Sequence, residues 1–179
     1  SFIPAIRTWN NEPVTELDKC PELKDALKKH RYGGIILFAP NITDSAQATK
    51  LLYDLKKNNK LSDASVHIAY FTPVDEEGGM VVRLTDGTRM TGNMAIGATP
   101  DAQKNAEQTG TILGEELAAI GFNTDYAPDI DVNNNPSNPV IGTRSFSDDP
   151  DTVAKLGQAF AGGLKKSNVI AVYKHFPGH

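Results

Sequence analysis

Apolar residues recur along this chain in two alternating registers. Gly33-Gly34-Ile35-Ile36-Leu37-Phe38 is a continuous apolar run behind two glycines, the pattern of a strand covered on both faces of a parallel sheet. The period then lengthens. Ala48, Leu51, Leu52 and Leu55 fall on one helical face, and Asp44 with Gln47 three positions on predicts a capping box. Lys56 and Lys57 suit the last turn of that helix, where cations meet the negative end of its dipole. Strand-like patterning returns over Val66-His67-Ile68-Ala69-Tyr70-Phe71 and runs toward Val74 and Asp75.

The alternation continues. Thr99 before Pro100 predicts a helix start, with Ala102, Ala106, Ile112, Leu113, Leu117 and Ile120 extending it and Gly121 as its C-terminal stop. A strand is expected around Phe122 to Ile130, followed by a long polar loop from Asp131 to Asp149. Pro150 after Asp149 opens a further helix with Val153, Leu156, Phe160 and Leu164 on one side. Val169-Ile170-Ala171-Val172-Tyr173 reads as a short buried strand that ends in Lys174-His175.

Strand, helix, strand, helix with double-sided apolar strands predicts an α/β fold: a parallel sheet with right-handed crossovers, about four strands beyond whatever Ser1 to Ile6 adds. A doubly wound sheet and part of a (β/α)8 TIM-type barrel both fit. The polar segments favour the barrel. Asp75-Glu76-Glu77-Gly78-Gly79, Asp129-Ile130-Asp131, the Asn133 to Arg144 loop and Lys174-His175 each follow a strand end, where barrel sites collect their groups.

Composition narrows the class. With 179 residues, 39% hydrophobic and 22% charged, the chain is long enough for one ordinary core. The 18 basic and 22 acidic residues give a net charge of -4 with no basic stripe, so nucleic acid is not an expected partner. The single cysteine, Cys20, has no internal disulfide partner and leaves both cytoplasmic and secreted locations open. Ser1-Phe2-Ile3-Pro4-Ala5-Ile6 lacks a basic leader and no apolar stretch spans a bilayer, so no membrane association is expected; a first residue that is not Met fits trimming.

The candidate chemistry sits in short polar segments. Three carboxylates at Asp75-Glu76-Glu77 are ordinarily a charged turn, but these end an apolar strand, and Arg83 lies where it can hold a neighbouring hydroxyl or carboxylate. Asp125, Asp129 and Asp131 share near-even spacing, so some face inward, where a charge needs partners. Asn133-Asn134-Asn135-Pro136-Ser137-Asn138-Pro139 is a preorganised loop of Asx-turn formers, and Arg144 after Gly142 suits a planar clamp on a polar ligand. His175 and His179 are four apart, but Phe176-Pro177-Gly178 between them bars a helix and the zinc-protease reading with it. No nucleotide-binding glycine motif occurs. Asn41-Ile42-Thr43 is formally a glycosylation acceptor whose place before a helix favours capping.

Together these stretches resemble glycoside hydrolase family 3, in its bacterial β-N-acetylhexosaminidase branch. The resemblance rests on Gly33 to Phe38, Asp75 to Gly79 with Arg83-Leu84, Gly92 to Ala98, Ala127 to Pro136, Asn138 to Phe146 and Lys174 to His179, in family order. It implies that residues 1–179 are the N-terminal portion of a catalytic barrel releasing terminal β-linked N-acetylglucosamine from peptidoglycan fragments or chitin oligomers. By the same resemblance Asp75, Arg83, Arg144, Lys174 and His175 hold the sugar, with no metal and no cofactor. The family's Asp-His acid/base pair and nucleophilic aspartate fall beyond His179, so no catalytic residue is expected here and the chain alone is expected to be inactive. The remainder of the barrel is an expected partner if it exists as a separate chain. Other readings are a β-glucosidase or glycoside phosphorylase of the same family, or a non-catalytic sugar-binding module. Three positions depart from the family: Glu76 for Gln, Thr91 for Pro and Asp129 for an apolar residue. The resemblance also implies cis peptides at Lys174-His175 and Ser145-Phe146.

Overall fold

The computed structural model describes residues 2–30, 32–60 and 70–179. Five parallel segments run side by side in chain order. Ala5 bridges Ile36 and Gly34 bridges Phe71, both parallel. Gly33 accepts from Phe71 N–H, while Ile35 and Leu37 donate to Phe71 and Pro73, so the apolar run 33–38 is hydrogen-bonded on both edges. Counting an antiparallel hairpin of β1 (Thr8–Trp9) and β2 (Glu12–Pro13) first, the regular parallel ladder comprises β3 (Pro73–Val74), β4 (Thr124–Asp125) and β5 (Ile170–Ala171). β4 lies between β3 and β5.

This strictly sequential order decides between the two architectures that the patterning leaves open. A doubly wound sheet reverses direction at a switch point, whereas each new segment here adds to the same side of the last, as in a barrel. The predicted strand at 66–71 falls mostly outside the described residues; its last residue, Phe71, pairs as expected.

Helices cover the outer face. α1 (Pro21–Lys29) and α2 (Ser45–Lys60) precede β3, α3 (Asn93–Gly97) and α4 (Ala102–Ile120) link β3 to β4, and α5 (Pro150–Lys165) links β4 to β5. Asp44 caps α2 through Gln47 N–H at 2.8 Å, while the Gln47 side chain accepts from Thr43 N–H, one residue earlier than a standard capping box. Lys56 Nζ donates to the Gly121 carbonyl and ties α2 to the end of α4. The start of α4 is a correction. Thr99 sends both its N–H and its hydroxyl to the Ile96 carbonyl, so it closes α3, and Asp101 takes the N-cap position. Gly121 ends α4 at φ 111°, and Asp149 caps α5 by accepting from Thr152 N–H.

The α4–α5 contact depends on missing side chains. A Cβ on Gly110 would stand 2.0 Å from the Phe160 carbonyl, and one on Gly163 would stand 2.3 Å from the Glu107 carbonyl. That close approach buries Leu113, Leu117, Leu156, Phe160 and Leu164 between helices and sheet.

Two expectations need correcting. The closing strand is not buried throughout: Val169 is, but Ile170 and Tyr173 are about half exposed, because β5 pairs only with β4 among the described residues. Asn41 is neither an exposed acceptor nor a cap for α2. Its fully buried amide donates to the Ile6 and Val14 carbonyls and accepts from Phe38 N–H, which locks the first two parallel segments together.

Candidate functional site

The carboxyl ends of the segments point the same way and bring their polar residues into one network. Asp75 and Glu77 follow β3 two residues apart, a spacing that puts both side chains on the inner face. Their turn depends on glycine: Gly78 and Gly79 have φ of 80° and 59°, and a Cβ on Gly79 would lie 2.6 Å from Gly92. From β5, Lys174 Nζ reaches Asp75 Oδ1 at 2.7 Å and Glu77 Oε1 at 2.6 Å. Arg144, presented by a short 3-10 turn at Gly142–Arg144, grips Glu77 with two prongs: Nε at 2.9 Å from Oε2 and Nη2 at 2.8 Å from Oε1. Arg83 approaches Asp75 Oδ2 at 3.7 Å, beyond hydrogen-bond reach.

His175 is fixed from the other side. Its Nδ1 lies 2.6 Å from Asp131 Oδ2, and its Nε2 lies 3.5 Å from Arg144 Nη2. Asp131 Oδ1 accepts from His179 N–H at 2.8 Å, which folds the 175–179 turn back onto the end of the fourth segment. The Lys174–His175 peptide is cis, as the resemblance implies, together with Ala127–Pro128 and Phe176–Pro177. Ser145–Phe146 is trans, a correction. With that bond trans, Ser145 Oγ still donates to the Asp131 carbonyl, and the Phe146 ring still meets Phe160 edge-on in the core.

All five residues singled out in the sequence therefore meet: Asp75, Arg83, Arg144, Lys174 and His175. Three further residues complete the network. Glu77 is the shared anchor of Arg144 and Lys174, Asp131 orients His175, and Asp129, fully buried, lies 3.4 Å from Arg144. Strand alternation was the signal for them, since Asp75 with Glu77 and Asp129 with Asp131 are i, i+2 pairs. Glu76 between them faces the opposite way, where its carboxyl accepts from Arg83 N–H at 2.7 Å and Leu84 N–H at 3.1 Å.

Burial sets the charge states. It pushes the Glu76 carboxyl up to about 7, against the pull of those two N–H groups. Burial also raises Asp129 to about 7 and the fully enclosed Asp125 well above the usual carboxylate range. It acts on Asp131 too, but hydrogen bonds from His175 and His179 outweigh it and hold that carboxyl below its ordinary value. The Glu77 hydrogen bonds raise Arg144 still further.

Loop 131–149 forms the outer wall. Asn135 accepts from Ser137 N–H and Asn138 from Val140 N–H, the expected Asx turns. Between this loop and the 173–179 turn lies a cleft of about 600 Å³ bordered by Asp131 and His175.

An array of opposed charges at the mouth of a parallel barrel binds and orients a neutral, hydroxyl-rich molecule well, because donors and acceptors of fixed direction face one volume. Residues 11–179 match the sequence pattern of the glycosyl hydrolase family 3 N terminal domain. The chain belongs to glycoside hydrolase family 3. Beta-hexosaminidase A of Pseudoalteromonas piscicida is 40% identical to this family 3 chain over 163 residues, 89% of this chain and 27% of that protein. A family 3 beta-N-acetylglucosaminidase from Paenibacillus sp. str. FPU-7 shares its structure with TM-score 0.87 and 37% identity, over 99% of this chain and 32% of that one. NagZ from Neisseria gonorrhoeae, solved in complex with N-trifluoroacetyl-D-glucosamine, matches with TM-score 0.84 and 31% identity, over 99% of this chain and 51% of that one. The family 3 chain thus spans about half the length, or less, of these relatives. Its sheet is the first part of the family's TIM-type barrel.

Proposed function

We propose that the chain is the sugar-gripping N-terminal portion, residues 1–179, of an exo-acting retaining β-N-acetylhexosaminidase. Asp75, Arg83, Arg144, Lys174 and His175 hold the hydroxyls of a terminal N-acetylglucosamine, such as that of peptidoglycan fragments or chitin oligomers. The observation that carries this reading is the convergence of these groups from three strand ends on one inner face, in a chain whose relatives are named for hexosaminidase activity.

The division of labour follows from the chemistry. A retaining double displacement needs one carboxylate to attack the anomeric carbon and a second group to protonate the leaving oxygen. Asp75, Glu77 and Asp131 are each engaged by cations or by His175 and act in binding and orientation. The remaining strands of the barrel, in the same chain or as a separate one, join beside β5 and bring the attacking and protonating groups.

Calorimetric titration with N-acetylglucosamine and glucose tests the reading, alongside hydrolysis of a chromogenic N-acetylglucosaminide. Binding that prefers the acetamido sugar and weakens in Asp75→Ala, without turnover by the chain alone, is expected. Equal affinity for both sugars, or binding indifferent to Asp75→Ala, refutes it.

A further inference from the structure

Arg7 stands apart from the other cations at the mouth of the sheet. Arg83, Arg144 and Lys174 each meet a carboxylate, whereas Arg7 is exposed and has no carboxylate partner among the described residues. Its place is nevertheless fixed. The Arg7 carbonyl accepts from Val14 N–H at 3.2 Å and from the Asn41 side-chain amide at 3.3 Å, and its guanidinium lies 3.8 Å over the centre of the Phe38 ring. Strand register puts this pair beside the grip. Ala5 bridges Ile36, which sets Arg7 opposite Phe38, and Gly34 bridges Phe71, which sets Phe38, itself extended, opposite Asp75. Opposed residues on neighbouring parallel strands project to the same face, so Arg7 and Phe38 share the inner face with Asp75. One strand spacing separates Phe38 from Asp75 and two separate Arg7 from it, roughly 5 and 10 Å.

We propose that Arg7 is a specificity-determining residue: stacked on Phe38, it binds a carboxylate on the saccharide unit next to the gripped N-acetylglucosamine. This role rests on the sugar-gripping reading and narrows its substrate class. An exo-acting enzyme that grips the terminal sugar has one neighbouring unit, on the leaving side. The Phe38 ring takes one flat face of the guanidinium and leaves its N–H edge free, and that edge forks a carboxylate with two parallel hydrogen bonds. The grip itself has no place for an anionic group. Its acidic residues Asp75, Glu77, Asp129 and Asp131 already outnumber its permanent cations Arg83, Arg144 and Lys174 and engage all three. An acid on the substrate is therefore accommodated where a cation stands unpaired, at Arg7. Peptidoglycan fragments carry such an acid, the lactyl carboxylate of N-acetylmuramic acid, whereas chitin oligomers are neutral throughout. Arg7 thus selects the former.

Calorimetric titration of the chain with two disaccharides, N-acetylglucosaminyl-β-1,4-N-acetylmuramic acid and diacetylchitobiose, tests this, with the ratio of their affinities as the readout. The acid-bearing disaccharide is expected to bind more tightly, roughly threefold to tenfold, as suits a forked but accessible ion pair. Arg7→Gln is expected to abolish that difference, and salt at about 0.5 M to shrink it in the unmutated protein, because exposed charges are screened. Equal affinities in the unmutated protein, a difference that survives Arg7→Gln, or an Arg7→Gln variant that weakens for both disaccharides alike overturns the role of Arg7 and leaves the hexosaminidase reading in place. Failure of the unmutated chain to bind either disaccharide overturns that reading and the role of Arg7 with it.

Discussion

Arg144 and Glu77, 67 residues apart, are joined by two parallel hydrogen bonds of 2.9 and 2.8 Å, with the Glu77 carboxylate 2% exposed. Lys174 leans on the same carboxylate. Glu77→Ala leaves two cations facing each other with one shared anion gone, and breaking a buried pair from one side costs about 3–5 kcal/mol. An unfolding free energy lower by that amount, extrapolated from urea titration, is expected. A loss under about 1 kcal/mol would show that water takes over the role of Glu77.

Arg144→Lys keeps the charge and loses the fork. Lysine is a point charge with no second prong, so both the Glu77 pairing and the 3.5 Å approach to His175 Nε2 are lost. Affinity for N-acetylglucosamine is expected to fall on the order of tenfold, the equivalent of one hydrogen bond to a charged group. Titration calorimetry reads it directly.

Glu76 predicts a pH effect with an unusual sign. Its carboxyl is raised from 4.5 to about 7, so the folded protein binds this proton more tightly than the unfolded chain. The stabilisation is complete below about 4.5 and declines as pH rises through about 7. Glu76→Gln keeps an acceptor for the Arg83 and Leu84 N–H groups and removes the titration. The variant is expected to gain roughly 2–3 kcal/mol over the parent at pH 8 and nothing at pH 4. Thermal melts at the two pH values decide, and an equal gain at both removes Glu76 as the cause.

Two neighbouring glycines in α5 should respond with opposite signs. A Cβ on Gly162 meets nothing within 4 Å, so Gly162→Ala is expected to gain about 0.5–1 kcal/mol from helix propensity. At Gly163 the same methyl stands 2.3 Å from the Glu107 carbonyl and 2.5 Å from Thr111 N in α4. Gly163→Ala is therefore expected to destabilise by about 1–3 kcal/mol, the usual cost of overpacking. Melting temperatures that move in the same direction for both would contradict the α4–α5 contact.

Periodicity and capping chemistry are local, and they read out locally. Ala48, Leu51, Leu52 and Leu55 are all buried on α2, Asp149 caps α5, and Gly121 ends α4, because spacing and backbone preference within a few residues decide each. The positions of Asp75, Arg83, Arg144, Lys174 and His175 at strand ends were legible for the same reason. Thr99 is ambiguous along the chain, because the signal Thr-Pro is the same whether it opens one helix or closes another, and only the Ile96 carbonyl chooses. What the chain could not display was adjacency across distance. Sheet order, the anchoring of Arg144 and Lys174 on Glu77, the exposure along β5 and the burial of Asp129 beside Arg144 all depend on which strand lies beside which. That is settled by how extended segments share hydrogen bonds in space, and residues 50 to 100 positions apart carry no mark of it along the chain.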